Sequence, residues 1–224
     1  MKHSTSAARR PSTRPASAPP ADPTGEQFAA FGAMFAHFNA TIFGGELRPV
    51  LLNFSRRAKA HGFFAPERWE RGATVRHEIS LNPSTLKSRP AHAVAATLVH
   101  EMVHLWQQDH GKPGRRGYHN AEWAAKMRTV GLIPSTTGAP GGAETGERVT
   151  HYIQEGGPFA RAFESMNDAC RLPWACEEPD APKGPAKPAN KIKYTCPACD
   201  ANAWGKPGLA LVCGDCEEDY EPEA

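Results

Sequence analysis

The 224-residue sequence predicts an α+β protein in which helices pack on a small, mainly antiparallel sheet, followed by a small cysteine-held module. Three observations predict it. Apolar residues recur at helical spacing in separate stretches, short runs of alternating apolar and polar residues lie between the first two of these, and two Cys-x-x-Cys pairs sit near the C-terminal end.

Residues 1–21 carry Lys2, Arg9, Arg10 and Arg14, no acid, and four prolines among Ser, Thr and Ala. With so few large apolar side chains the stretch cannot offset its ordering entropy, and it reads as a disordered basic tail without the apolar middle of a secretory signal. Asp22-Pro23-Thr24 is a helix start, and Phe28, Phe31, Phe35, Phe38 and Ile42 then repeat as a core stripe until Gly44-Gly45 ends it. Residues 50–54, 61–64 and 74–82 read as short strands, the last alternating Val75, His77, Ile79 and Leu81 against polar neighbours. An edge strand of such a sheet offers main-chain hydrogen bonds to an extended peptide. His37, His61 and His77 read as packed or surface residues.

Asn82-Pro83 breaks the last strand, and Pro90 suits the first turn of the helix that carries His100-Glu101-Met102-Val103-His104. Positions i and i+4 share a helix face, so both imidazoles offer a nitrogen to one ion, with Glu101 about 100° around the helix. Catalytic zinc takes three protein ligands and a water, and a carboxylate beside that water accepts its proton. Thr97, Glu101 and His104 share one side, while Val94, Ala95, Leu98, Val99, Met102, Leu105 and Trp106 cover the other, so the chemistry faces a cleft and the apolar side a core. Two residues compete as third ligand. His110 has the metzincin spacing, but Gln107 stands where metzincins need a glycine. His119 is preferred: it opens a second helix, 121–130, that the glycine-rich loop 111–117 folds back on the first.

His100-Glu-Met-Val-His-Leu-Trp106, Gly117-Tyr-His119-Asn-Ala-Glu-Trp123 and Val130-Gly-Leu-Ile-Pro134 together resemble the SprT-like family, which includes Spartan-type proteases. The likeness covers roughly 26–165 and the C-terminal cysteines. It implies a zincin-like metalloprotease domain, here 22–170, with His100, His104 and His119 as zinc ligands, Glu101 as catalytic residue, and proteins crosslinked to DNA as substrates.

Downstream, 135–146 reads as a loop, 149–153 as a strand and 159–166 as a closing helix. His151 and Tyr152 are candidate hydrogen-bond donors to the transition-state oxyanion. Residues 177–193, with four prolines amid charges, form an extended linker to a zinc ribbon at 194–220. There Cys196-Pro-Ala-Cys199 and Cys213-Gly-Asp-Cys216 each set two thiolates along one edge of a tetrahedron. The alternative, disulfide pairing, goes with an export signal that this sequence does not show. Cys170 and Cys176 read as free thiols or a minor pair. Lys193, Tyr194, Trp204 and Lys206, cations interleaved with aromatics, are candidate nucleic-acid contacts, while the acidic run 217–221 argues against a uniformly basic face.

A formal charge of +2 excludes a uniformly nucleic-acid-coating protein, and no apolar run reaches the ~18 residues of a membrane helix. The sequence thus predicts a zinc endopeptidase carrying two Zn²⁺, one catalytic and one structural. It is expected to be a cytoplasmic or nucleoid-associated monomer, with a protein substrate and DNA as candidate partners. The competing reading is a non-catalytic zinc-binding adaptor or a transcription-associated nucleic-acid-binding protein, for which Glu101 would be superfluous.

Overall fold

The computed structural model describes residues 22–58, 60–176 and 191–223, so the expected basic tail and residues 177–190 of the expected linker lie outside the described residues. The chain divides into two compact units, Met1–Glu177 and Glu178–Ala224.

The first unit opens with α1, Pro23–Ile42, whose N-cap Asp22 accepts a hydrogen bond from the Thr24 amide at 3.1 Å. Phe31, Met34, Phe35 and Phe38 are buried, as the stripe requires, whereas Phe28 near the helix start stays 40% exposed, its ring edge against Phe54. Three strands follow: β1, Leu51–Phe54; β2, Gly62–Arg71; and β3, Thr74–Leu81. They lie in the order β1-β3-β2, with β1 parallel and β2 antiparallel to β3. The second strand is longer than the expected 61–64. Its outer half is exposed and needs no apolar alternation, and a register shift between Ala65 and Trp69, with Glu67 at φ 50°, absorbs Pro66. His77 holds this bulge: its Nδ1 accepts the Glu67 amide hydrogen at 2.8 Å, and its Nε2 lies 3.2 Å from Asp109.

Helix α2, Ala91–His110, is the spine of the unit. Leu98, Val99, Met102, Val103 and Leu105 are fully buried, and truncating one such Leu to Ala costs about 2–5 kcal/mol. Helix α3, Ala121–Thr129, is capped by Asn120, whose Oδ1 accepts from the Trp123 amide at 3.0 Å. Strands β4, Leu132–Ser135, and β5, Thr150–Ile153, pair antiparallel, and α4, Pro158–Glu164, packs against α1 and α2.

Gly131 joins α3 to β4 at φ +86°, and a Cβ there would lie 2.8 Å from the Phe159 nitrogen. Left-handed strain and the backbone clash together make Gly131→Ala cost at least about 2 kcal/mol. Thermal unfolding should fall by roughly 4 °C or more, at ~2–4 °C per kcal/mol for a domain of this size. An unchanged midpoint would show that this junction does not constrain the fold.

The second unit is a small sheet in the order β7-β6-β8: β6, Ile192–Thr195; β7, Asn202–Gly205; and β8, Glu221–Pro222. Two tight turns of one design flank it. The Cys196 carbonyl accepts from the Asp200 amide and the Cys213 carbonyl from the Glu217 amide, each at 2.9 Å, and Asp200 and Glu217 share a left-handed φ of 57° and 58°. Tyr194 is the core of the unit. It is 1% exposed, its hydroxyl donates to the Lys206 carbonyl at 2.6 Å, and it accepts from the Leu209 amide at 3.0 Å.

Candidate metal centre

The helical pitch of α2 sets the His100 and His104 rings one turn apart, with centroids 5.2 Å from each other. His119, just ahead of α3, closes the triangle at 5.4 and 4.9 Å. One ligand atom from each of the three lies within 4.8 Å of the others. The buried Trp123 ring lies against all three, with centroids 4.9, 5.3 and 4.3 Å from His100, His104 and His119. The competitor, His110, is exposed at the end of α2, its Nε2 3.4 Å from the Glu46 carbonyl.

Two devices bring His119 to this position. His119 and Gly146 exchange backbone hydrogen bonds of 2.8 and 3.0 Å, and the Gly146 carbonyl also lies 3.1 Å from His119 Nδ1. Gln107, 2% exposed, donates through Nε2 to Asn120 Oδ1 at 2.7 Å and to Glu122 Oε2 at 2.8 Å, and Glu122 accepts the Lys112 amide hydrogen as well. The residue that breaks the metzincin pattern therefore fastens the start of the second motif to the first helix. Sequence reasoning saw Gln107 only as a missing glycine. Its partners lie 13 and 15 residues away, and their side-chain pairing leaves no periodic signal.

The donor set fits zinc. Tetrahedral coordination with Zn–N bonds of about 2.0 Å separates two ligand nitrogens by about 3.3 Å, and His104 Nε2 and His119 Nε2 are 3.2 Å apart. Burial, before the effect of neighbouring histidines, holds His100 well below the usual imidazole range and His104 down to about 3; His119 is lowered by burial too. All three are thus neutral at pH 7, the form that binds a metal.

Glu101 is 6% exposed and borders a cleft of about 1510 Å³ that also exposes Phe63, Trp69 and Tyr118 along its walls. Burial pushes its carboxyl up to about 8, against the opposing pull of a backbone hydrogen bond from Phe64 and the charge of Arg57. His100, His104 and His119 would hold a divalent cation there, whose charge would favour the ionised form of Glu101 that a base requires.

His151 and Tyr152, consecutive on β5, lie on opposite faces of the strand. His151 Nδ1 lies 3.2 Å from His100 Nδ1, and burial lowers its pKa to about 4. Tyr152, next along β5 and paired with Ile133, faces the other side of its strand, away from His100.

In the second unit one sulfur from each of Cys196, Cys199, Cys213 and Cys216 lies within 4.8 Å of the others. Cys199 and Cys213 Sγ are 3.8 Å apart, matching the ~3.8 Å edge of a tetrahedron with Zn–S bonds of ~2.3 Å. Backbone amides of Asp215 and Cys216 bring the Cys213 thiol down to about 7, while a side-chain hydrogen bond with Cys199 pushes Cys216 up to about 12. Among the candidate nucleic-acid contacts, Tyr194 is corrected: a ring with 1% exposure has no face for a base. Lys193 pairs with Glu223 at 2.6 Å, Trp204 is 64% exposed, and Lys206 is exposed.

A metal-fit histidine triad beside a buried glutamate, drawn from a helix that backs a small mixed sheet and from the residue ahead of the next helix's cap, defines a metalloprotease-like domain. Residues 31–141 match the SprT-like family, and over that span the chain is a SprT-like domain followed, in the second unit, by a four-cysteine module consistent with a zinc ribbon. A comparison with curated proteins returns no match. Among the described residues no helix is long and apolar enough to cross a membrane.

Proposed function

We propose that the chain is a zinc-dependent endopeptidase of SprT-like type. One observation carries the reading: three neutral imidazoles converge with ligand atoms within 4.8 Å of one another, two of them at tetrahedral spacing, beside a buried carboxylate on an open cleft. Zinc bound there would supply Lewis-acid polarisation of a scissile carbonyl and a lowered pKa for a nearby water. Glu101 takes the proton of the attacking water and returns it to the leaving amine, while Arg57 favours its charged form. The substrate lies extended along β2, an edge strand of its sheet whose Phe63 and Trp69 line the cleft. Incubation with casein and histones, with and without DNA, tests this. Fragments that vanish on chelation and return with zinc are expected, and intact substrates under every condition would refute it.

We further propose that the substrates are proteins associated with DNA. The exposed Trp204 and Lys206 support a strand-binding face by stacking and phosphate contact, as does the family resemblance. Trp204→Ala should weaken single-stranded DNA binding by about 1–3 kcal/mol, and equal affinity would remove the ribbon from DNA recognition. A thiol-rich ribbon suits a reducing compartment, and the cytoplasm is the proposed location.

The two donor sets predict two zinc equivalents per chain. The double variant Cys196→Ala/Cys199→Ala should bind one and keep casein cleavage. A wild-type count of one, unchanged in that variant, would take the ribbon metal out of the account.

A further inference from the structure

We infer that His151 is a positioning residue for the histidine centre: as a hydrogen-bond acceptor it fixes the His100 ring and its tautomer, so that Nε2 is the nitrogen presented to a metal. The inference rests on reading His100, His104 and His119 as a metal site. It goes beyond the SprT-like match, which ends at residue 141, ahead of β5.

The two Nδ1 atoms are 3.2 Å apart. Two ring nitrogens at that distance repel if both present lone pairs or both present hydrogens, so one donates and the other accepts. A His100 that gives Nε2 to a cation keeps its hydrogen on Nδ1. His151 Nδ1 must then be the acceptor, and its own hydrogen sits on Nε2. Metal-ligating histidines generally donate their second N–H to an acceptor that fixes ring orientation and raises basicity. His119 follows the same rule through the Gly146 carbonyl, 3.1 Å from its Nδ1. Residues 146 and 151 thus supply the outer contacts of two of the three histidines, from a segment that the two recognisable motifs do not include.

The arrangement also bears on the notion of His151 as an oxyanion donor. Its Nδ1 is committed to His100, so only its Nε2–H is left to donate elsewhere, and the contact with His100 is a role separate from that one. Orientation is lost if the acceptor is lost, even where the ring's bulk is kept.

His151→Phe keeps a planar ring without an acceptor, and His151→Asn restores an acceptor oxygen near the Nδ1 position. The full-length chain, its ribbon first filled with zinc, is titrated with cobalt, so that d–d bands appearing without thiolate charge-transfer bands report the histidine site. His151→Phe should weaken metal binding at the histidine site by about 10–100-fold, with His151→Asn recovering most of it. Equal affinity in His151→Phe and wild type overturns the inference, as does equal loss in both variants, which would mean packing alone. Should His151→Phe fail to fold, nitrogen chemical shifts of the zinc-loaded wild type decide. Hydrogens on His100 Nδ1 and His151 Nε2 support the assignment, and a hydrogen on His151 Nδ1 overturns it. A wild-type histidine site that binds no metal would instead sink the reading on which the inference rests.

Discussion

Replacing Glu101 by Gln is expected to lower proteolysis by about 10²–10⁴-fold while the histidine site keeps its zinc. Gln preserves the shape and the hydrogen bond from Phe64, but it accepts no proton from the attacking water. The same substitution has a signature in stability. In metal-free protein burial raises the Glu101 carboxyl from about 4.5 to about 8, so its contribution is fully present below pH 4.5 and is lost as pH rises through 8. Metal-free Glu101→Gln should therefore gain on metal-free wild type across that window, by an amount on the order of a few kcal/mol at about 1.36 kcal/mol per unit. Urea unfolding at several pH values reads the difference, and a pH-independent gap would mean that Glu101 is not buried as described. Unchanged cleavage by the variant would remove Glu101 from the chemistry.

The second large effect separates the two candidate third ligands. His119→Ala should strip or greatly loosen the histidine-site zinc and abolish cleavage, because two imidazoles alone leave the ion without the bond that closes the site. His110→Ala should leave both intact. Along α2, His110 lies six residues past His104, about 9 Å by the helical rise, and its ring sits exposed at the helix end. His119 Nε2, by contrast, is 3.2 Å from His104 Nε2. Metal content and casein cleavage of the two variants, measured together, distinguish them, and zinc loss in His110→Ala would redraw the site on the metzincin pattern.

The parts of this site that were legible in the sequence are those set by local spacing. His100 and His104 share a face because of the helical repeat, and each Cys-x-x-Cys closes one tight turn, so both follow from residue types a few positions apart. His119 was reachable because its motif begins a helix after a glycine-rich loop. The longer-range parts left no such mark. His151 meets His100 across 51 residues, and Gln107 meets Glu122 across 15, through side chains whose pairing depends on how α2, α3 and β5 pack. Tyr194 misled because alternating cations and aromatics look alike whether a ring faces solvent or a core, and in a unit this small the large ring on β6 is taken up as its core. The outer half of β2 was missed for the converse reason, since an exposed edge carries charge where a buried strand would alternate.

The most direct test of the whole account is a zinc titration of chelator-stripped protein, following histidine-site occupancy and the appearance of new peptide termini from casein by mass spectrometry. The account predicts no cleavage while only the ribbon is filled, and cleavage rising in proportion as the histidine site fills. Full cleavage by protein whose histidine site is empty would contradict it, as would a fully loaded protein that yields no new termini with or without DNA.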